Sequence, residues 1–585
     1  MTVTESKSQW RKHLQGKTEA MPPAPHVAVA GSMTAEPIEP YLGTHLLSKG
    51  FENPHITIAP FNQLQRLCAD PASVLSTENI DALVILWRLE DMFPELLQRF
   101  LCGDATAATE LMAETMAFVS ALSGLREKFS GTLIVSTPPY PSLPGFDGAE
   151  ILQPISGSVL HAEILEQWIK NISSIPRLHI LDLNALLRKT GAEKAHDARK
   201  WHLYRQPYTE AFWHTIGTQA GRLIAAQTIS AKKCIVLDAD NTLWGGIVGE
   251  DGVEGLALAD DFPGSAYREF QKHLLHLHSR GILLAVASKN NPDDFYAAFD
   301  SHDAMVLKRE HISAFEVHWD SKVDSMRRIA EKLNISTNAL VFIDDSPKEI
   351  GEVQDRVPDV TCLLVPEEAA YLPDILRGTD LFDTLEITDE DRKRATMIAA
   401  EDSRRTLQSG MSEEDYKKAL ELELHVFEAA AQHVGRVTQL INKTNQFNLT
   451  TRRRTRDEVE SLMQSPTHRV LGMSLKDKYG DYGLVGVCIL EKSNDEARMD
   501  TLLMSCRVLG RDAETAFLAQ IAETARRWGC KNLAGTYLPT PKNGMVKNLY
   551  AQHGFTQVDD STWRVTLDTA PTLPAHIKAA LDIAA

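Results

Sequence analysis

The sequence predicts a multi-domain α/β protein, and three observations carry that prediction. The chain has 585 residues, which exceeds what one hydrophobic core serves and implies three or four domains. Two successive series of short apolar runs alternate with helical patterns, as in parallel sheets covered by helices on both faces. A third region mixes helices with hairpin-like strands, as in α+β folds.

In the first series, HVAVAGS (26–32), HITIAPF (55–61), ALVILWR (82–88), TLIVSTP (132–138) and LHILDL (178–183) read as strands. Helical patterns lie between them, for example 108–129, and a last helix ends near Ala226. The polar link QTISAKK then opens the second series: CIVLD (234–238), LLAVAS (283–288), LVFID (340–344) and TCLLVP (361–366). These are continuous apolar runs, the pattern of strands buried on both faces. Val323, Met326, Ile329, Ala330 and Leu333 mark one face of a helix beginning at Lys322. From 380 to 416 the chain turns polar and reads as solvated helix. In the third region, 482–491 and 498–508 form a hairpin pattern; a helix (512–528), a strand (532–538), a helix (543–552) and a strand (562–567) follow. The expected boundaries are 1–228, 229–380 and 381–585.

Lys and Arg total 61 against 79 Asp and Glu, a net charge of −18 that disfavours nonspecific nucleic-acid binding. No apolar run approaches the roughly 18 residues of a membrane span. The start, MTVTESKSQWRKHLQGK, has no apolar signal core, so a cytoplasmic protein without a membrane partner is expected. The seven cysteines, at 68, 102, 234, 362, 488, 506 and 530, form no C-x-x-C and fit a reducing compartment.

The chemistry concentrates in CIVLDADNTLWGG (234–246). Asp238 closes a buried strand, and in open parallel sheets ligands gather at the carboxyl ends of strands. Ser288, Lys289 and Asn290 end a second strand, Asp344 and Asp345 a third, and Lys322 starts the helix before it. Clustered carboxylates repel unless a hard cation such as Mg²⁺ binds among them. One aspartate can then attack phosphorus and another can move the proton, while a hydroxyl and a lysine hold phosphate oxygens. The Gly245-Gly246 pair frees the loop to fold back over the rim. A lone aspartate there would more simply be a helix cap; four ordered groups argue for phosphoryl transfer.

DADNT, the strand ending in Ser288, Lys322 and VFIDDSPKE resemble the four motifs of the haloacid dehalogenase (HAD) superfamily, in order. TLWGGIVGEDG, INKTNQFNLTTRRRT (441–455) and LLMSCRVLGRDAE (502–514) resemble the narrower FkbH-like subgroup, which loads glyceryl units in polyketide pathways. The resemblance implies Asp238 as nucleophile and metal ligand, and Asp240 as general acid/base with its main-chain carbonyl on the metal. It implies Thr242 and Ser288, with Lys289 and Asn290 beside them, as phosphate contacts, Lys322 as balancing charge, and Asp344 with Asp345 completing a Mg²⁺ site. The implied substrate is D-1,3-bisphosphoglycerate. The implied partner is an acyl carrier protein whose phosphopantetheine arm receives the glyceryl group.

RVLGRDAETAF follows an apolar strand and opens a helix, a turn that presents N–H groups to an anion. With NGMVKNLYAQHGF (543–555) it resembles the GNAT acyltransferase fold. Its turn keeps only Gly510, so a pantetheine arm suits the groove better than whole coenzyme A. Cys506 is expected on the strand before this turn, near Arg507 and Arg511, where cations favour a thiolate. A buried strand cysteine is the plainer reading of composition; the resemblance makes Cys506 the acyl carrier and Arg507 a substrate contact. His425, His433 and His553 are candidate bases. NKTNQFNLTTRRRTR (442–456) concentrates amides and cations; Asn445, Gln446 and Asn448 are candidate substrate donors, and Arg452–Arg454 a solvated face or a carrier-protein contact.

AGSMT (30–34) resembles the nucleophile block of SGNH hydrolases at Ser32, on a flavodoxin-like parallel sheet. The aspartate before the serine, the Gly-x-Asn-Asp block and the Asp-x-x-His spacing around His202 are missing. A non-catalytic domain is therefore expected. Together these readings give a bifunctional glyceryltransferase/phosphatase. The competing readings are a Mg²⁺-dependent HAD phosphatase of a small metabolite and a carrier-protein-binding scaffold without chemistry.

Overall fold

Val27–Ala30, Leu83–Leu86 and Leu133–Val135 have almost no solvent contact on either side, as apolar runs covered by helices on both faces must. A computed structural model of the chain describes residues 1–16, 25–75, 79–143, 156–385, 400, 404, 407–408 and 410–583, without the side chains of 105 and 506. It divides into two units: Met1–Lys232 with a segment beginning at Arg377, and Lys233–Leu376 with the remainder.

The first unit holds β1 (His26–Gly31), β2 (His55–Ile58), β3 (Ala82–Leu86), β4 (Thr132–Ser136) and β5 (Leu178–Leu181). All pair in parallel, in the order β2-β1-β3-β4-β5. The order reverses between β1 and β3, which opens a crevice at their carboxyl ends. Ser32 lies there, buried; its hydroxyl donates to Asp91 Oδ2 at 3.0 Å and accepts from Arg88 N at 3.1 Å. Arg88 grips the same Asp91 with two bonds of 2.8 and 2.6 Å and stacks over Trp201. His202 is exposed.

The second unit contains β6 (Cys234–Leu237), β7 (Leu283–Ser288), β8 (Ile312–Val317), β9 (Leu340–Asp344) and β10 (Thr361–Leu364). They form a parallel sheet, β10-β9-β6-β7-β8, with β6 at its centre. Val323, Met326 and Ile329 of the helix Lys322–Lys332 are fully buried in its core. The register pairs Leu237 with Ile343 and with Val286, so the residues after β6, β7 and β9 emerge at one edge.

The same unit contains β11 (Glu423–Glu428), β12 (His468–Asp477), β13 (Gly480–Ser493), β14 (Glu496–Met504), β15 (Asn532–Thr536), β16 (Thr556–Gln557), β17 (Thr562–Thr566) and β18 (Lys578–Asp582). Their order is β16-β17-β15-β14-β13-β12-β11-β18, antiparallel except for β14–β15 and β11–β18. The β14–β15 ladder covers only Glu496–Met499 against Asn532–Gly535. Beyond it, Phe447–Leu449 enters as a third rail: Leu449 N donates to Leu502 O at 3.1 Å, Met504 N to Phe447 O at 3.0 Å, and Leu538 N to Leu449 O at 2.8 Å.

Two expectations are corrected here. Residues 386–399 of the polar stretch lie outside the described residues, but Arg404 within it is buried, not solvated. Its guanidinium makes a bidentate pair with Asp477, at 2.7 and 2.8 Å, and stacks on Tyr482; the pairing offsets part of the cost of burying the charge. Cys506 opens a single 3₁₀ turn, Cys506–Val508, instead of lying on the strand, because β14 ends at Met504 and Ser505 N turns to Val485 O.

One titration in the first unit bears on stability. His45 lies on the helix Glu39–Ser48; burial, and then the nearby Lys49 ammonium, push its imidazole down from 6.5 to about 4. The unfolded chain takes up this proton first as pH falls, so stability is complete above about 6.5 and lost progressively towards about 4. The urea midpoint should fall across that window, and His45→Gln should flatten the fall; an unchanged slope would contradict the assignment.

Candidate functional site

Asp238 and Asp344 stand one residue past β6 and at the end of β9, on neighbouring strands. Ser321 caps the next helix by accepting from Val323 N, which starts that helix at Lys322 and aims the lysine at both carboxylates. Lys322 Nζ lies 2.7 Å from Asp238 Oδ1 and 2.5 Å from Asp344 Oδ2. All three groups are buried, at 4, 6 and 0% exposure for Lys322, Asp238 and Asp344. Carboxylate oxygens of Asp238, Asp344 and Asp345 lie within 4.8 Å of one another.

The electrostatics follow from this crowding. Burial pushes the Asp238 carboxyl up; Lys322 opposes the shift and Asp344 adds to it, with a net upward direction. Burial, then the adjacent Asp344, raises Asp345 as well. Burial alone would lower Lys322, but Asp238 and Asp344 outweigh it and the ammonium is held above its ordinary range. Three carboxylates thus share one cation, and the two excess negative charges match a single divalent ion.

The turn after β6 holds the remaining groups. Asn241 takes a left-handed φ of 53° and its side chain accepts from Gly246 N at 3.0 Å. Gly246 has φ 99°, a conformation that favours glycine. Gly245 serves close packing instead: a Cβ there would meet the Tyr267 ring at 2.9 Å. Asp240 is held by three donors: Trp244 Nε1 at 2.9 Å, Val248 N at 3.1 Å and Asn290 Nδ2 at 2.9 Å. Asn290 also donates to Ser288 Oγ at 3.1 Å, which leaves the serine hydrogen free to point elsewhere. The Thr242 hydroxyl is fully buried and has no hydrogen-bond partner, an orphaned donor beside the acidic cluster.

Asp238, Asp240, Ser288, Asn290, Lys322, Asp344 and Asp345 therefore come together at one rim, and Thr242 lies buried in the turn after β6. Lys289 does not join them as a free phosphate contact: its Nζ pairs with Glu349 Oε1 at 2.7 Å. Gln271, unread in the sequence, is fully buried and clamps the turn, donating to Leu243 O at 2.8 Å while accepting from Val306 N and Leu307 N. Trp244 carried a signal, one helical turn beyond Asp240 in the same motif; Gln271 carried none.

In the C-terminal region the Cys506 side chain lies outside the described residues. Arg507 Nε reaches Ser505 Oγ at 3.3 Å. Asn448, expected as a substrate donor, is instead fully buried in its own turn. Its amide donates to Thr444 O at 3.1 Å and its carbonyl oxygen accepts from Thr450 and Thr451 N. Asn445 accepts from Arg453, and Arg452 and Arg454 both pair with Asp500; Arg452 and Arg453 stay exposed, as a solvated face requires, while Arg454 is half-buried. His553 is engaged by Thr515 and by Leu549 O. Beyond its ladder with β15, β14 is paired by Phe447–Leu449.

The sequence matches no protein-family model and no curated protein. Among solved structures it is similar to the N-terminal part of BF1531 from Bacteroides fragilis, which contains a phosphatase domain complexed with Mg. That match has 26% identity and a TM-score of 0.58, and covers 66% of this chain and 100% of that one. Smaller pieces align with the GNAT domain of S. lividans PAT (16% identity, TM-score 0.20, 24% of this chain, 89% of that one). A spermidine N-acetyltransferase from Vibrio cholerae aligns likewise (11% identity, TM-score 0.20, 25% of this chain, 96% of that one).

Magnesium is expected to stabilise the folded chain, by about 2.7 kcal/mol at a hundredfold excess over its Kd. The thermal midpoint should rise accordingly, and Asp345→Asn should shrink the rise. A magnesium response that persists at full size in Asp345→Asn would remove that carboxylate from the site.

Proposed function

We propose that the chain is a magnesium-dependent phosphatase joined to an acyl-transfer function. In the fuller reading it is a glyceryltransferase/phosphatase of the FkbH-like kind, acting on 1,3-bisphosphoglycerate and delivering the glyceryl group to an acyl carrier protein. The observation that supports it most is the placement of Lys322 between Asp238 and Asp344, with an excess of two negative charges. The likeness to a phosphatase-domain structure complexed with Mg agrees with it.

Asp238, Asp344 and Asp345, with the Asp240 main-chain carbonyl, would hold the ion; the orphaned Thr242 hydroxyl and the excess charge fit such a site. When bound, magnesium neutralises the rim so that a phosphate anion can approach. Asp238 attacks phosphorus, with Lys322 opposing the upward push of burial on its carboxyl and holding it at the rim. Thr242 and Ser288 donate to phosphate oxygens, and Lys322 balances their charge. Asp240, fixed by Trp244, Val248 and Asn290, gives a proton to the leaving oxygen and then takes one from the water that cleaves the aspartyl-phosphate. The Cys506 thiolate attacks the C1 acyl carbon of the acyl phosphate, the C–O bond breaks and inorganic phosphate leaves; the carrier thiol then attacks the resulting thioester and displaces the Cys506 thiolate. The first unit, its Ser32 tied to Asp91, serves a non-hydrolytic role.

A second reading, a phosphatase without acyl transfer, gains weight from the Phe447–Leu449 pairing of the β14 edge. Intact-protein mass spectrometry of a carrier protein, incubated with the enzyme, magnesium and 1,3-bisphosphoglycerate, separates the two. A glyceryl mass shift is expected. Asp238→Asn should lower phosphate release at least a thousandfold. Cys506→Ala should abolish loading while phosphate release continues; normal loading by Cys506→Ala would end the thioester assignment.

A further inference from the structure

Several large apolar side chains of the second unit are exposed. Trp319 is 68% exposed on the loop after β8, Phe262 is 64% exposed before the helix Gly264–Ser279, and Leu364, 47% exposed, ends β10 opposite Asp344. Ile247 is also exposed; the next residue, Val248, donates its N–H to Asp240.

Trp319 is the best placed of these. Its loop starts where His318 N donates to Ser288 O at 3.1 Å and ends at Lys322. The indole N–H donates to Asn291 Oδ1 at 3.3 Å, next to the Asn290 that holds both Asp240 and Ser288. One edge of the indole is thus oriented by the site while its faces stay in water. A large aromatic held in this way costs solvation and adds nothing to the core, whose clusters do not include it.

We propose that Trp319 is a specificity residue. It contacts the organic part of the substrate beyond the phosphate, and the phosphatase site favours phosphate monoesters that carry an apolar chain over those with a minimal alcohol. This rests on the second reading of the same site, a phosphatase without acyl transfer, since the glyceryl substrate of the fuller reading carries no apolar chain. The indole supplies rigid apolar area at low conformational cost, and an alkyl chain leaving the phosphate cradle lies against it. Ile247, beside Val248, and Leu364, opposite Asp344, add exposed apolar surface close to the site.

The test uses the full chain with magnesium and two esters, methyl phosphate and n-hexyl phosphate. The wild type should show the higher kcat/KM on the hexyl ester. Trp319→Ala should lower the hexyl-to-methyl ratio about tenfold, the equivalent of losing roughly two methylenes of burial, and Trp319→Phe should restore most of it. A ratio unchanged in Trp319→Ala, or no hexyl preference in the wild type, overturns the proposal. Calorimetric binding of n-hexylphosphonate against methylphosphonate gives the same ratio without turnover. If the esters are not cleaved but the phosphonate ratio falls in Trp319→Ala, the contact stands and the phosphatase reading fails. If neither phosphonate binds, both fail.

Discussion

A single buried ammonium organises the acidic rim of the central parallel sheet. Lys322 touches Asp238 and Asp344, which end neighbouring strands, and none of the three is accessible enough for water to replace the contact. A lone charge in that position would be costly; two carboxylates make it stable, and it in turn allows two carboxylates to sit side by side. The pairing leaves the rim short of positive charge by two units once Asp345 is included. Structure and reactivity have the same origin: the core tolerates the acidic cluster because of one lysine, and the remaining charge defines what must bind.

The groups around that cluster are held by bonds that do not involve substrate. Asp240 is fixed by an indole, a main-chain N–H and an amide, and the turn carrying it is clamped by Gln271 and by the Asn241–Gly246 contact. Such support fixes the Asp240 carboxylate in one orientation before any ligand arrives. Thr242 is the exception, a buried hydroxyl without a partner, and a phosphate oxygen would satisfy it.

Much of this was legible in the sequence because it is local. Apolar runs ending in Asp238, Ser288 and Asp344 mark strand termini, and parallel pairing brings strand termini to one edge. Contacts between distant segments were not legible. Lys289 is paired with Glu349 and Arg404 with Asp477, and no pattern near either cation points to its partner. Asn448 is an amide suited equally to a substrate or to its own turn, and only tertiary placement decides for the turn. In the third sheet, β11 alternates buried Leu424 and Val426 with outward residues, a signal that was present, whereas the alanine-rich β18 shows no strand pattern of its own. The insertion of Phe447–Leu449 beside β14 likewise depends on the short ladder between β14 and β15, a property of the sheet and not of either segment.

Anomalous diffraction from crystals grown with manganese tests most directly whether the carboxylates beside Lys322 gather a divalent ion. One strong peak is expected, bounded by the side chains of Asp238, Asp344 and Asp345. A peak elsewhere, or none in crystals that diffract well and retain Lys322 between the two aspartates, would contradict it.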